Sequence, residues 1–203
     1  KKYTKLFAKS YGKHAVESLM GVISSLHQQD PIPNPRIWLS DTERKNAINK
    51  LLRLGNKNRL LALCVGDIRR PVKCWDADKF TELLKIQKEN FSGVIFLGGD
   101  LDAERTNEVA SRINIPYINT IGSSLLETAA FLEHSILYVG PDSGVGHIAA
   151  AVKTPVISFF SVDNPERCRP WGRSVICLKG ANNDARNISI ENVNSSIQEI
   201  LYE

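Results

Sequence analysis

The sequence ILYVGPDSGVGHIAAAVKTPVISFF occupies residues 136–160 and contains a complete strand–helix–strand pattern. The apolar runs at 136–139 and 155–160 are typical of buried strands, and the segment 146–152 between them favours a short helix. Two strands joined by a helix run parallel in one sheet, so this stretch predicts a parallel βαβ unit.

The same alternation extends in both directions from this unit. Further strands are predicted at 36–39, 60–65, 94–97, 117–118 and 175–178. Helices are predicted over 14–27, 41–54, 77–89, 103–113, 125–133 and 190–201, with capping boxes at Ser40–Glu43 and Ser124–Glu127 and with Asp76 as a further cap. The fold class is therefore α/β: a Rossmann-like parallel sheet of about six strands with helices on both faces.

A proline-rich segment divides the chain near its start. Pro31, Pro33 and Pro35 fall within five positions and form a stiff linker. We therefore expect residues 1–30 to be a helix and linker from the end of another domain, with the helix at 14–27 packing separately. Residues 31–203 form the α/β domain.

Composition narrows the function classes. The balance of 26 Lys and Arg against 22 Asp and Glu gives a net charge of +4, which suits an anionic small molecule or membrane surface. There is no dense basic stripe, so we expect no nucleic-acid partner. The four cysteines have no metal-ligand spacing, and the sequence has no secretory signal and no apolar run of roughly 18 residues, which predicts a cytoplasmic location.

Ligands of parallel sheets bind beyond the carboxyl ends of the strands, and the turn at 141–147 lies at one such end. Gly144 and Gly146 allow close backbone approach, free amides at the helix start can bind phosphate, and His147 can donate to an anion. The alternative is a strand–helix turn whose glycines serve its geometry alone.

Two more strand ends carry charged side chains. Arg69, Arg70 and Lys73 can clamp a phosphate, or they can form a solvated basic loop above a packed Trp75. In the segment 98–104, the carboxylates can accept hydrogen bonds from ribose hydroxyls, or they can cap a helix and favour its dipole.

The 141–147 turn has two other interpretations. Ser143 and His147 do not form a nucleophile elbow, because Pro141 stands where that motif needs glycine. The pattern Gly144-x-Gly-x-x-Ala, with Asp163 19 residues after Gly144, fits an NAD-type fingerprint. However, its helix is short and the motif follows several βα units.

Together these stretches resemble glycosyltransferase family 9, the ADP-heptose:lipopolysaccharide heptosyltransferases. That family has a G-x6-K-x-W loop, a G-G-x-x-[DE] strand end, an s-L-x-E helix start and a D-[TS]-G-x-x-H-x-A-A turn followed by P-V-x-x-x-F. The matching segments here are 66–75, 98–102, 124–127, 142–150 and 155–160. Their order and spacing agree over roughly residues 36–201.

The resemblance implies the C-terminal, donor-binding half of a GT-B glycosyltransferase and a nucleotide-sugar donor, ADP-heptose first. It implies a diphosphate or donor-sugar site at Lys73, Asp142, Ser143, Gly144 and His147, to which we add Arg69. The ribose and nucleoside would be held by Asp102, Glu104, Gly122 and Ser123.

The resemblance also implies that no metal or other cofactor is used and that the catalytic base lies in an N-terminal acceptor domain. The acceptor would be a lipopolysaccharide core or similar lipid-linked glycan, at the inner face of the inner membrane. Asp76 stands where the family often has proline, and the loop 68–71 is basic where the family's is neutral, which leaves the donor sugar open. A non-catalytic nucleotide-binding module remains the alternative.

Overall fold

The computed structural model describes residues 14–24, 31–55 and 58–202, and a parallel sheet lies at its centre. The strands of this sheet are β1 (Leu60–Leu63), β2 (Gly93–Phe96), β3 (Tyr117–Asn119), β4 (Leu137–Pro141), β5 (Val156–Phe160) and β6 (Val175–Lys179). Their order is β3-β2-β1-β4-β5-β6, and every neighbouring pair is parallel. The predicted α/β class and parallel sheet are confirmed.

Helices cover both faces of the sheet. They are α1 (Ala15–Ser24), α2 (Asp41–Leu51), α3 (Ala77–Ile86), α4 (Ala103–Ala110), α5 (Leu125–Glu133), α6 (Gly144–Ala151), α7 (Pro165–Cys168) and α8 (Ile190–Tyr202). One apolar core joins α3, α4 and α8 to the sheet, and a second joins α2, α5 and α6 to it. Within the described ranges, no helix is both long and apolar enough to cross a membrane.

Both predicted capping boxes are present. Ser40 and Ser124 each accept from the backbone N–H three residues on, and the glutamates at those positions bond back to the serine N–H. Glu127 also pairs with Lys50 at 2.8 Å, which ties α5 to α2. The caps therefore fix where both helices begin and support the packing of one against the other.

The predicted strand at 36–39 is wrong. This segment has no regular structure, although its alternation is real: Leu39 is buried and Ile37 packs against the core, whereas Trp38 is 81% exposed. Its inward side chains pack with the core that contains α2, α5 and α6. The segment therefore joins no sheet edge.

Helix α3 starts after Asp76 as predicted, but the Asp76 side chain makes no capping hydrogen bond. The helix ends at Ile86, short of the expected Glu89. The Gln87 side chain donates to Asn194 on α8 instead, which fixes a turn at this point.

Helix α1 does not pack separately at its start. His14 is 4% exposed, its Nε2 lies 2.9 Å from the Arg169 carbonyl oxygen, and its ring lies 4.6 Å from that of Trp171. Nδ1 of His14 accepts from the Val16 N–H, so Nε2 carries the proton and donates to Arg169. Residues 25–27 of the predicted helix lie outside the described residues, and a domain boundary near residue 30 stays a prediction.

Candidate functional site

A cavity of about 670 Å³ lies beyond the carboxyl ends of β1, β2 and β4. Strands β1 and β4 are neighbours in the sheet but not in sequence, so the cavity sits where the strand order reverses, the usual ligand position in such sheets. Its lining comprises Gly66, Asp67, Arg70, Lys73 and Cys74 after β1, Gly98 to Asp102 after β2, Pro141 to Val145 around the end of β4, and Cys64, Ser123, Leu125, Thr128 and Ile148.

Trp75 anchors the basic loop that follows β1. Its ring is fully buried, as expected, and its Nε1–H donates to the Ile188 carbonyl at 2.8 Å. Two residues earlier, Lys73 lines the cavity, and its Nζ lies 2.5 Å from Oδ2 of Asp163. The loop is therefore fixed at its base and presents a cation at the cavity wall.

The two arginines of this loop have different surroundings. Arg69 is paired with Asp67 at 2.9 Å and does not line the cavity. Arg70 does line it, and the Arg70 side chain has no ion pair with another described residue. The structure thus places Arg70, and not the predicted Arg69, beside Lys73.

Backbone amides at the start of α6 are available to a ligand. Ser143 precedes the helix, but its side chain does not cap it; Ser143 Oγ lies 3.4 Å from the Tyr138 hydroxyl instead. The N–H groups of Gly144 and Val145 have no acceptor among the described residues, and both residues line the cavity. Free amides at a helix start carry partial positive charge, so this wall attracts anions.

Four ionisable groups interact at this end of the sheet. Burial raises the pKa of Asp142, Lys73 acts in the opposite direction, and the neighbouring Asp163 carboxylate adds to the rise. The hydrogen bond from Lys73 lowers the pKa of Asp163. Desolvation lowers the pKa of His147, with Asp142 acting in the opposite direction. His147 is exposed in the first turn of α6 and does not itself line the cavity.

The predicted ribose residues separate in the structure. Asp102 and Ser123 line the cavity, whereas Glu104 lies exposed in the first turn of α4, outside the lining. Asp102 accepts from the Gly99 N–H at 2.7 Å, and burial raises its pKa. Gly122 also lies outside the lining; it has φ +78°, and a Cβ there would meet the Asp100 carboxylate at 2.8 Å. Gly122 thus has a structural role.

Sequence reasoning missed two acidic groups of the site. Asp67 directly follows Gly66 at the end of the first strand segment, and this position is the sequence signal that points to it. The sequence pattern relates Asp163 only to an NAD-type fingerprint. Its pairing with Lys73 joins positions 90 residues apart, which no local pattern reveals.

Comparison with known proteins gives a consistent result. Residues 2–198 match the profile of the family described as glycosyltransferase family 9 (heptosyltransferase). The chain is 32% identical over 180 residues to lipopolysaccharide heptosyltransferase 3 of Escherichia coli K12, a match that covers 87% of this chain and 52% of that protein. It is 26% identical to lipopolysaccharide heptosyltransferase 2 of the same strain, over 68% of this chain and 42% of the relative. The chain thus spans about half the length of these curated relatives.

Solved structures share the fold. The family 9 glycosyl transferase from Veillonella parvula DSM 2008 superposes with a TM-score of 0.86 at 21% identity, over 95% of this chain and 61% of that one. The E. coli heptosyltransferase WaaC with ADP superposes with a TM-score of 0.69 at 18% identity, over 91% and 55% of the two chains. The architecture is therefore that of the C-terminal part of a GT-B fold.

Proposed function

Because the chain belongs to glycosyltransferase family 9, we propose that it is the donor-binding half of a lipopolysaccharide heptosyltransferase. In this proposal the cavity at the carboxyl ends of β1, β2 and β4 binds an ADP-type nucleotide sugar, with ADP-heptose the first candidate. The whole enzyme transfers the sugar to a lipopolysaccharide core or similar glycan acceptor. It works at the inner face of the inner membrane.

One observation carries this proposal: uncapped amides of α6 and the Lys73 ammonium line the same cavity. Gly144 adds to it, because a Cβ built there meets no atom within 4 Å. Nothing in the described part of the chain requires glycine at this position. We attribute the glycine to the space that a phosphate group needs against the start of α6.

The comparisons support the nucleotide class. One solved relative, WaaC, holds ADP, and another WaaC structure holds ADP-2-deoxy-2-fluoro heptose. We assign the diphosphate to Lys73, Ser143 and Gly144, with Arg70 in the place first given to Arg69. Asp142 lies toward the donor sugar.

We assign the ribose to Asp102 and the remainder of the nucleoside to Ser123; both residues line the cavity. Asp102 is half-buried and lines the cavity, whereas Glu104 is exposed and lies outside the cavity lining. A buried carboxylate facing a cavity is a suitable acceptor for two neighbouring hydroxyl groups.

These groups all act on the leaving side of the reaction. As the bond from the sugar to the diphosphate breaks, negative charge grows on the diphosphate, and Lys73 and the α6 amides stabilise it. They supply positive charge that a metal would otherwise provide, so we expect transfer to need no divalent ion. The base that deprotonates the acceptor belongs to an N-terminal domain across the cleft.

The NAD interpretation is disfavoured by topology. The strand order of this sheet matches that of dinucleotide-binding folds, in which the glycine fingerprint follows the first strand. Here the glycine pattern at 144–146 follows β4. The turn after β1 carries Gly66 and Asp67 in place of a fingerprint.

Calorimetry with ADP and with NAD tests the proposal. We expect ADP to bind and NAD to bind much more weakly. Gly144→Ala should weaken ADP binding about tenfold, because the methyl group occupies the space for the phosphate, at unchanged or slightly raised unfolding free energy. Full ADP affinity in this variant, or preferential NAD binding, would overturn the assignment.

A further inference from the structure

A second cavity lies at the edge of the sheet opposite the donor cavity. Its volume is about 590 Å³, and its walls come from residues 33–36, from the turn before β5 at 153–154 and from the turn before β6 at 172–174. We call it the linker pocket. The two cavities share no lining residue: on α6, Ile148 lines the donor cavity and Ala150 lines the linker pocket. A ligand here would be distinct from the donor.

The linker pocket carries positive charge only. Arg36, Lys153 and Arg173 line it, and among the described residues no aspartate or glutamate does. None of the three makes an ion pair or a side-chain hydrogen bond with another residue in the described part of the chain. A cleft lined by one sign of charge concentrates counter-ions, so the site favours an anion.

The protein holds these cations around one space. Leu39 is buried and Ile37 packs against the same core as Val175, so the segment that carries Arg36 is anchored beside β6. On the other wall, Lys153 has φ +69°, a left-handed conformation that a lysine rarely adopts. Both positions are therefore set by the fold.

The remaining lining is apolar or uncharged. Pro33, Pro35, Ala150 and Val175 supply apolar surface, and the Ser174 hydroxyl has no hydrogen-bond partner among the described residues. The volume exceeds that of a bare phosphate ion. A ligand that fills it combines a phosphate group with a small organic body.

We infer that the linker pocket binds a phosphate ester, with its phosphate held by Arg36, Lys153 and Arg173. Guanidinium groups match phosphate oxygens in a bidentate geometry, and the negative charge of the phosphate relieves the repulsion among the three cations. The ester is either a free phosphorylated metabolite or the headgroup of a phospholipid. This inference is independent of the donor cavity.

Nuclear magnetic resonance titration of the chain with sn-glycerol 3-phosphate tests the free-metabolite source, with glycerol as the uncharged control. We expect saturable shifts of the amides of 36, 153 and 173–174, without shifts at Lys73 or Gly144. ADP should instead shift the amides of Lys73 and Gly144. A lack of binding at one cavity is therefore distinguished from a lack of binding at the other.

Two variants assign the binding to these side chains. Lys153→Asn removes the charge and tolerates the left-handed backbone, and Arg173→Gln keeps a polar side chain. Each should weaken binding about tenfold. Arg53→Gln, which removes an exposed cation outside both cavities, is the matched control and should change nothing.

Phosphatidylcholine vesicles with and without phosphatidylglycerol test the headgroup source. Binding to the vesicles that contain phosphatidylglycerol but not to those without it would support the inference and assign the ester to the membrane, provided that the Lys153 and Arg173 variants lose this binding. Saturable glycerol 3-phosphate binding would assign it to a soluble molecule. No binding in either experiment, or binding that these variants leave intact, would overturn the inference.

Discussion

Lys73 and Asp163 form an ion pair at the rim of the donor cavity, with Nζ and Oδ2 separated by 2.5 Å. Lys73 is the side chain that we assign to the donor diphosphate, and a carboxylate pairs with that same side chain. The Asp163 carboxylate and the diphosphate are both anions, and they compete for one ammonium group. Asp163 therefore lowers the affinity for any anion in the cavity.

Asp163→Asn should tighten ADP binding. Removal of one partly exposed negative charge frees Lys73 and ends the repulsion of the diphosphate, which corresponds to about a two- to fivefold gain in affinity. Calorimetry measures it. Asp184→Asn, which breaks a similarly close pair with Arg186 away from the cavity, is the control and should leave affinity unchanged. Weaker binding in Asp163→Asn would mean that Asp163 positions Lys73 for the donor.

Lys73→Ala should weaken ADP binding more than His147→Ala. Lys73 lines the cavity and His147 does not. A lost charged hydrogen bond corresponds to about 2–3 kcal/mol for Lys73, and we expect about 1 kcal/mol for His147. Lys85→Ala, at an exposed position on α3, is the control. A larger loss at His147 would mean that the diphosphate lies along the outer side of α6.

Donor binding should take up protons. Desolvation lowers the pKa of His147 and burial raises the pKa of Asp142. A bound diphosphate adds negative charge nearby, which favours the protonated form of both groups and raises both pKa values. By linkage, affinity should rise as pH falls through the titration range of His147, below its ordinary value of about 6.5.

The proton uptake can be measured with ADP-glucose, whose diphosphate has no ionisation near neutral pH. The binding enthalpy should depend on the ionisation enthalpy of the buffer, and His147→Gln should reduce that dependence. An enthalpy identical in all buffers would show that neither group responds to the ligand.

Gly66 allows the turn after β1 to form, and we expect Gly66→Ala to lower the unfolding free energy by about 2–4 kcal/mol. Its φ is +84°, and a Cβ there would lie 2.6 Å from Sγ of the buried Cys74. Urea unfolding provides the measurement. The part of this destabilisation that comes from the close approach to Cys74 should shrink when Cys74→Ala is added. A double-mutant cycle detects this non-additivity.

Gly55→Ala is the comparison for this effect. Gly55 has φ +77°, but a Cβ there meets no atom within 4 Å, so only backbone strain acts. Equal unfolding free energies of the Gly66 and Gly55 variants, with no coupling to Cys74, would show that the close approach to Cys74 contributes nothing to the loss of stability.

Local signals explain what the sequence could predict. Ser40 and Ser124 determine where their helices begin through hydrogen bonds to residues three positions away. The apolar run at 156–160 likewise has the composition of a buried strand of a parallel sheet, and it is one. Segment 36–39 shows the limit of such signals. It was predicted to be a strand, and its alternation does place Leu39 in the core, but alternation does not reveal whether a neighbouring strand is within reach.

The candidate site shows the same division. Gly144 and Lys73 follow strand ends, and the topology of a parallel sheet brings strand ends together, so their meeting in one cavity was predictable. The pairing of Asp163 with Lys73, and the choice of Arg70 over Arg69, depend on loop conformations and side-chain directions. Asp67 binds Arg69 through a turn that no periodic pattern encodes.

The chain alone should bind the donor and transfer nothing. In the transition state the acceptor hydroxyl loses a proton while the diphosphate gains negative charge, and the groups assigned here, Lys73 and the α6 amides, serve only the second change. The chain matches 52% and 42% of the length of two curated relatives, and we place the base in the part that it does not match. A transfer assay with ADP-heptose and a lipopolysaccharide-core acceptor should therefore give turnover only when an N-terminal acceptor domain is joined to this chain, and EDTA should not reduce it. Turnover by the chain alone that disappears in Asp142→Asn would place the base on Asp142, whose raised pKa would then belong to proton transfer.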